Sequence, residues 1–279
     1  MDFSLSASLG NSLVKTGDAN ARAYIAAVVA TGTSVSATQR TAINNFYKDS
    51  KSNGYYTSLK RLYLPIWGSA SANAIDLIGL TSGTFVGGVT HGSGFVQGNG
   101  LTGYFNVGAT PAALGITSSS AHFCFASLTN FTNVFPLGGM GGNGSGITAS
   151  SDFIHSSTNG ANFRWSGTGT GRVIIPSARQ GILSASREGG NRRIAIRTTA
   201  ARTLLTNVAG ADAGVIPANN LFFLATNNTN APAAISPAAF NDGQIAFYGL
   251  AMGLTDSQDT SYTLNLKTLW ETCTGLTLP

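Results

Sequence analysis

Glycoside hydrolysis needs two carboxyl groups about 5–10 Å apart across the scissile bond. This chain of 279 residues has 11 acidic residues, and only two are glutamates, Glu188 and Glu271. Glu188 stands beside Gly189-Gly190, a hairpin-turn pair, and Glu271 falls in a helical stretch near the end of the sequence. Asp256 and Asp259 are close together, but they occupy that helix's first turn, where carboxylates complement the helix dipole. No glycosidase pair is expected, and the chain reads as a non-enzyme.

The three histidines, His91, His122 and His155, are far apart. Only His155 has a nearby carboxylate, Asp152, and an isolated Asp-x-x-His reads as a surface loop. His122 alternates within a strand and reads as a core or edge histidine. Cys124 and Cys273 form neither a Cys-x-x-Cys motif nor a disulfide framework, and read as buried thiols. Gly138-Gly139-Met140-Gly141-Gly142 lacks the Lys-Ser/Thr of a phosphate loop. Gly142-Asn143-Gly144-Ser145-Gly146 lacks the elbow of a serine hydrolase. Gly167-Thr168-Gly169-Thr170-Gly171 opens no helix. No catalytic residue, metal site or cofactor is expected.

Two binding chemistries remain. A sugar site uses an aromatic platform with amide groups on loops, and Asn159, Asn162 and Trp165, with Phe163, offer one. The other is basic. Eight of the eleven arginines lie between Arg164 and Arg202, where the only acid is Glu188. In Arg192-Arg193-Ile194-Ala195-Ile196-Arg197, strand alternation puts Arg193 and Arg197 on one face and Ile194 and Ile196 on the other, with Arg192 at its edge. That predicts an outward basic stripe, suited either to solvation or to an anionic partner. Nucleic acid would need such charge, but no recognised nucleic-acid motif accompanies it, and none is expected as partner.

The elements that would position these residues follow from composition and periodicity. Charged residues are 10% of the chain, against about 25% in a typical domain. Apolar residues make 43%, and there are 35 glycines. This favours a turn-rich β protein with a real core over a helical bundle. Asp18 caps a first helix with Ala21, Tyr24, Ile25, Val28 and Val29 on one stripe, ended by Gly32. Ser36-Ala37-Thr38-Gln39 is a capping box for a second helix, ended by Gly54. Leu59, Leu62 and Tyr63 add a short amphipathic piece. Residues 1–17 read as an extended arm, and 1–66 as an arm with a helical segment.

From about residue 73, short strands alternate with Gly, Asn and Ser turns. Candidates are 75–78, 84–86, 104–106, 121–128, 162–165, 172–175, 181–186, 192–197, 221–225 and 244–252. Thr255-Asp256-Ser257-Gln258 is a second capping box. It opens a final helix with Tyr262, Leu266, Leu269, Trp270 and Cys273 on one face. Residues 67–279 thus read as a β-sandwich with a C-terminal helix. The longest apolar run, Ile25 to Ala30, is far short of the roughly 20 residues of a membrane span. Met1-Asp2-Phe3-Ser4 does not open an export signal.

Three segments carry a resemblance. They are Asp18-Ala19-Asn20-Ala21-Arg22-Ala23-Tyr24-Ile25 through to Leu59-Lys60-Arg61-Leu62-Tyr63-Leu64; Gly94-Phe95-Val96-Gln97-Gly98-Asn99-Gly100 with Tyr104 and Ser120-Ala121-His122-Phe123; and Gln244-Ile245-Ala246-Phe247-Tyr248-Gly249 with the terminal helix. The arrangement resembles bacteriophage virion proteins with a concanavalin A-like lectin/glucanase jelly roll. The resemblance implies a mostly β jelly-roll sandwich with an N-terminal helical segment and a C-terminal helix. It implies a structural virion protein, assembled in the host cytoplasm, of the capsid surface, tail or fibre. Its partners would be other virion proteins and further copies of itself, a trimer by analogy with fibres. The alternative is a lectin-like module that contacts a host surface glycan.

Overall fold

The computed structural model describes residues 17–129, 152–156, 160–164, 172–173, 180–199, 201–209, 219–227, 237–238 and 240–279. The expected N-terminal arm lies almost wholly outside them. Helix α1 (Ala19–Ala30) is capped by Asp18, whose carboxylate accepts the Asn20 N–H. Helix α2 (Ala37–Ser52) opens on the reciprocal Ser36–Gln39 box. The last helix, α4 (Asp256–Thr274), opens on the Thr255–Gln258 box and ends at Gly275 in the left-handed region. A short α3 (Ala70–Asn73) follows the first strand. Ser36→Ala and Thr255→Ala should each lower stability by about 0.5–2 kcal/mol in denaturant titrations, since each removes a hydrogen bond to an otherwise orphaned helix N–H. Two unchanged midpoints would contradict the helix starts.

The rest is predominantly antiparallel β structure. In chain order the strands are β1 (Leu59–Tyr63), β2 (Thr84–Val86), β3 (Thr90–Gly92), β4 (Phe95–Gln97), β5 (Tyr104–Asn106) and β6 (Ser120–Ser127). There follow β7 (Asp152–Ser156), β8 (Gly160–Arg164), β9 (Arg172–Val173), β10 (Gly181–Glu188), β11 (Asn191–Arg197) and β12 (Arg202–Ala209). The last are β13 (Phe222–Phe223), β14 (Thr226–Asn227), β15 (Pro237–Ala238) and β16 (Gln244–Ala251). The main sheet runs β12-β11-β10-β6-β16-β4-β3, and β1 pairs with β16 beside β4. A smaller sheet runs β13-β5-β2.

Each face of the main sheet is buried against a different layer, so its strands read as nearly continuous runs of buried residues. On one face Cys124, Ala126, Ile182, Phe247 and Ala251 share a core with α1, α2 and α4. On the other, Phe123, Phe125, Leu183, Ala185, Ile194 and Tyr248 share a core with Phe105 and Phe223 of the smaller sheet. Aromatic rings fasten the two sheets. Phe223 stacks on Tyr248 with centroids 4.1 Å apart, and Phe105 meets Tyr63 edge-on at 4.6 Å. Among the described residues, no helix is long and apolar enough to cross a membrane.

Two sequence expectations are corrected. Leu59, Leu62 and Tyr63 do not extend the helical segment but form β1 of the main sheet. A bulge between Leu59 and Arg61 shifts the register, so Leu59 and Leu62 both reach the helix-side core, and their spacing of three mimics a helical stripe. Residues 75–78 are a turn with isolated bridges instead of a strand. Asp76 builds it: Oδ1 accepts the N–H groups of Leu62 (2.8 Å) and Ile78 (2.9 Å), and Oδ2 accepts that of Gly79 (2.7 Å). Burial pushes the Asp76 carboxyl up to about 6, against the opposing pull of those N–H groups and of Arg61.

Candidate functional site

A connected cluster of polar and charged groups lies where α4 crosses the main sheet. β6, β10, β11 and β12 each send polar side chains to that face. They are His122 from β6, Ser184 and Ser186 from β10, Arg193 and Arg197 from β11, and Arg202 from β12. Helix α4 answers with Asp256, Asp259 and Thr263.

Asp259 is the hub. Its Oδ2 accepts Arg202 Nη2 at 2.6 Å, Arg202 Nε at 3.2 Å and Ser184 Oγ at 2.9 Å. Its Oδ1 lies 3.7 Å from His122 Nε2. Arg202 Nη2 also donates to Asp256 Oδ1 at 2.8 Å. Burial lowers the arginine's affinity for its proton, but these two carboxylates outweigh it and raise its pKa. Arg197 donates to Thr263 Oγ1 at 3.0 Å and to the Thr260 carbonyl at 2.9 Å. Burial, with Arg202 nearby, lowers the pKa of Arg197.

The loop before α4 is fixed in the same way. Ser186 Oγ donates to the Leu254 carbonyl (2.7 Å) and accepts the Leu254 N–H (2.8 Å). Arg193 donates to the same carbonyl at 3.0 Å and to Glu188 Oε2 at 3.3 Å. The arginine stripe is therefore not outward. Alternation does put Arg193 and Arg197 on one face with Ile194 and Ile196 on the other, but α4 and the loop before it cover the basic face: Arg197 bonds to α4, and Arg193 to the Leu254 carbonyl and Glu188. Arg192 stands half-buried on β11, in register with Arg187 on β10 and Val208 on β12.

Asp256 and Asp259 are in the first turn of α4 as expected, but their principal partner is Arg202, not the helix dipole. The signal was present in the sequence. Asp259 precedes Tyr262 and Leu266 by three and seven positions, so it sits on the apolar stripe, where a carboxylate needs a buried cation. Glu271 is held by Lys267 Nζ at 2.6 Å and accepts the Leu278 N–H at 2.9 Å.

His122 is fully buried, and neither ring nitrogen has a hydrogen-bond partner. Burial lowers its pKa to about 4; Asp259 pulls upward and Arg202 downward. Cys124 and Tyr262 lie in the same layer, and burial raises both well above their ordinary values. His91 is elsewhere: Asn73 Nδ2 lies 3.1 Å from its Nδ1, and Phe85 meets its ring edge-on at 4.5 Å. Among the described residues, no three His, Cys, Asp or Glu side chains gather as a metal ion would require.

The three sugar-site candidates are only partly placed. Asn162 is in β8, paired with Ile154 of β7 and Arg172 of β9. Asn159 and Trp165 lie outside the described residues, as do the glycine loops at 138–146 and 167–171.

No protein-family model and no curated protein matches the chain. Solved structures do share the fold. Domain 4 of AbnA, a GH43 extracellular arabinanase from Geobacillus stearothermophilus, was solved in complex with arabinotriose. It aligns with a TM-score of 0.51 and 16% identity over 74% of this chain and 98% of that one. Trypanosoma rangeli sialidase, in complex with the inhibitor DANA, aligns with a TM-score of 0.50 and 10% identity over 82% of this chain. The match spans 38% of the sialidase chain. These matches overturn the expectation of a non-enzyme: the same fold occurs within an arabinanase and a sialidase, so the exclusion drawn from carboxylate placement does not stand. At such identities the likeness shows the fold alone and assigns this chain no reaction.

Proposed function

We propose that the chain is a surface component of a bacteriophage particle, built on a concanavalin A-like jelly roll and acting through contacts with neighbouring virion proteins and with further copies of itself. One observation carries this reading. The three segments behind the family resemblance meet in one unit: α1 and α2 share a core with α4 and β16, β4 pairs with β16, and Phe105 of β5 packs on Tyr63 and Phe223. An antibody against the purified chain should label intact particles of the phage that encodes it, and image reconstruction should place it on their surface. Its absence from purified particles overturns the reading.

A second reading, a glycan-binding module, is favoured by the arabinotriose bound to the arabinanase domain of the same fold. Asn159, Asn162 and Trp165 would make the contacts, with the indole as platform. Saturable binding on a glycan array, lost in Trp165→Ala, is the expected result. No binding at millimolar sugar removes this reading and leaves the first standing.

A further inference from the structure

Helix α4 is docked in two different ways along its length. Its second half is held by apolar packing: Leu266, Leu269 and Trp270 are buried in the helix-side core, and the Trp270 indole N–H donates to the Gly94 carbonyl at 2.8 Å. Apart from Tyr262, its first half is held by charge and hydrogen bonds, through Asp256, Asp259, the Thr260 carbonyl and Thr263. The buried, unpartnered His122 lies under that first half.

We propose that His122 is a proton-operated latch: protonation of its imidazole releases the first half of α4 from the sheet while the second half stays docked. The geometry gives the reason. An imidazolium has two N–H donors, and a buried one without acceptors is costly. Asp259 Oδ1, 3.7 Å away and without a hydrogen-bond partner of its own, can take one of them, while Oδ2 of the same carboxylate holds Arg202 and Ser184. The other ring nitrogen has no hydrogen-bond partner where the ring now stands. The remaining groups around the ring are Tyr262 from α4, Ser186 opposite it on β10, and Cys124 on its own strand. Of these only Tyr262 and Cys124 titrate, and both stay neutral across the acid range. Strand β6 cannot move aside to admit water, because it is hydrogen-bonded to β10 and β16 along both edges. The helix is the movable side.

The sign follows. His122 has a lowered pKa when docked and an ordinary one near 6.5 when hydrated, so docking weakens as pH falls from 6.5 towards about 4. Asp76 acts oppositely. Its raised pKa means that protonation strengthens the fold as pH falls through about 6. Global melting mixes these two effects, so the test must resolve segments.

Hydrogen exchange of the whole chain, read by mass spectrometry and corrected for intrinsic rates, supplies that resolution. Between pH 6.5 and 4.5, amides of residues 256–263 should exchange faster by roughly tenfold per pH unit, while those of 266–274 and β6 hold. His122→Gln should abolish the pH dependence at 256–263. In the unmodified chain, the His122 ring signal by NMR should titrate in step with that exchange. Retained pH dependence in His122→Gln, equal loss of protection in both halves of α4, or a ring that titrates without faster exchange each overturns the proposal.

Discussion

Asp259→Asn should cost about 3–5 kcal/mol in equilibrium unfolding, among the larger effects available to one substitution in this chain. The side chain is 4% exposed and that of its partner Arg202 is 9% exposed. Removing the charge leaves a buried guanidinium with one remaining carboxylate, Asp256, whose side chain is 51% exposed and correspondingly hydrated. An amide oxygen in the place of Oδ2 also brings no charge to the bonds from Arg202 and Ser184. The measurement is a pair of urea titrations, with Asp256→Asn as control. The exposed pair should lose no more than about 1 kcal/mol. Equal, small losses in both variants would show that the Asp259 cluster does not anchor the helix.

Trp270→Ala should cost a similar 3–5 kcal/mol for a different reason. The indole is 1% exposed, fills the core between α4 and the sheet, and spans 176 residues of sequence through its hydrogen bond to Gly94. Truncation leaves a cavity and an orphaned carbonyl. Trp270→Phe keeps most of the volume and loses only the hydrogen bond, so it should cost about 1–2 kcal/mol. If alanine and phenylalanine were equally damaging, the hydrogen bond and not packing would dominate at Trp270.

The helix boundaries were legible because caps are local. Ser36–Gln39, Thr255–Gln258 and the closing glycines Gly54 and Gly275 each act within a few residues, and the structure has them in those roles. The long central strands were legible for a related reason: runs such as Ser120–Ser127 and Gln244–Ala251 are buried along nearly their whole length. What could not be read was whatever depends on a partner distant in sequence. β1 hides behind a bulge, and β3 and β4 are three residues long and separated by two turn residues. β12 took no alternating pattern because its pairing with β11 shifts register after Ile194. The same limit applies to the site. Alternation placed Arg193 and Arg197 on one face, but only tertiary structure shows that the terminal helix lies on that face. Local carboxylate spacing likewise says nothing of topology, and it is topology that this chain shares with domains of an arabinanase and a sialidase.

The pairing of β16 has a consequence for the order in which the molecule can be made. β16 lies between β6 on one side and β1 and β4 on the other, and Leu62 stands opposite Gly249 in that register. The sheet's midline is therefore empty until residues 244–251 have left the ribosome. Until then β1 and β6 present unpaired edges, and the helix-side core lacks α4. Such non-local closure makes folding slow and leaves sticky intermediates. Production of this chain should therefore depend on synthesis rate and chaperone supply more steeply than its final stability would suggest.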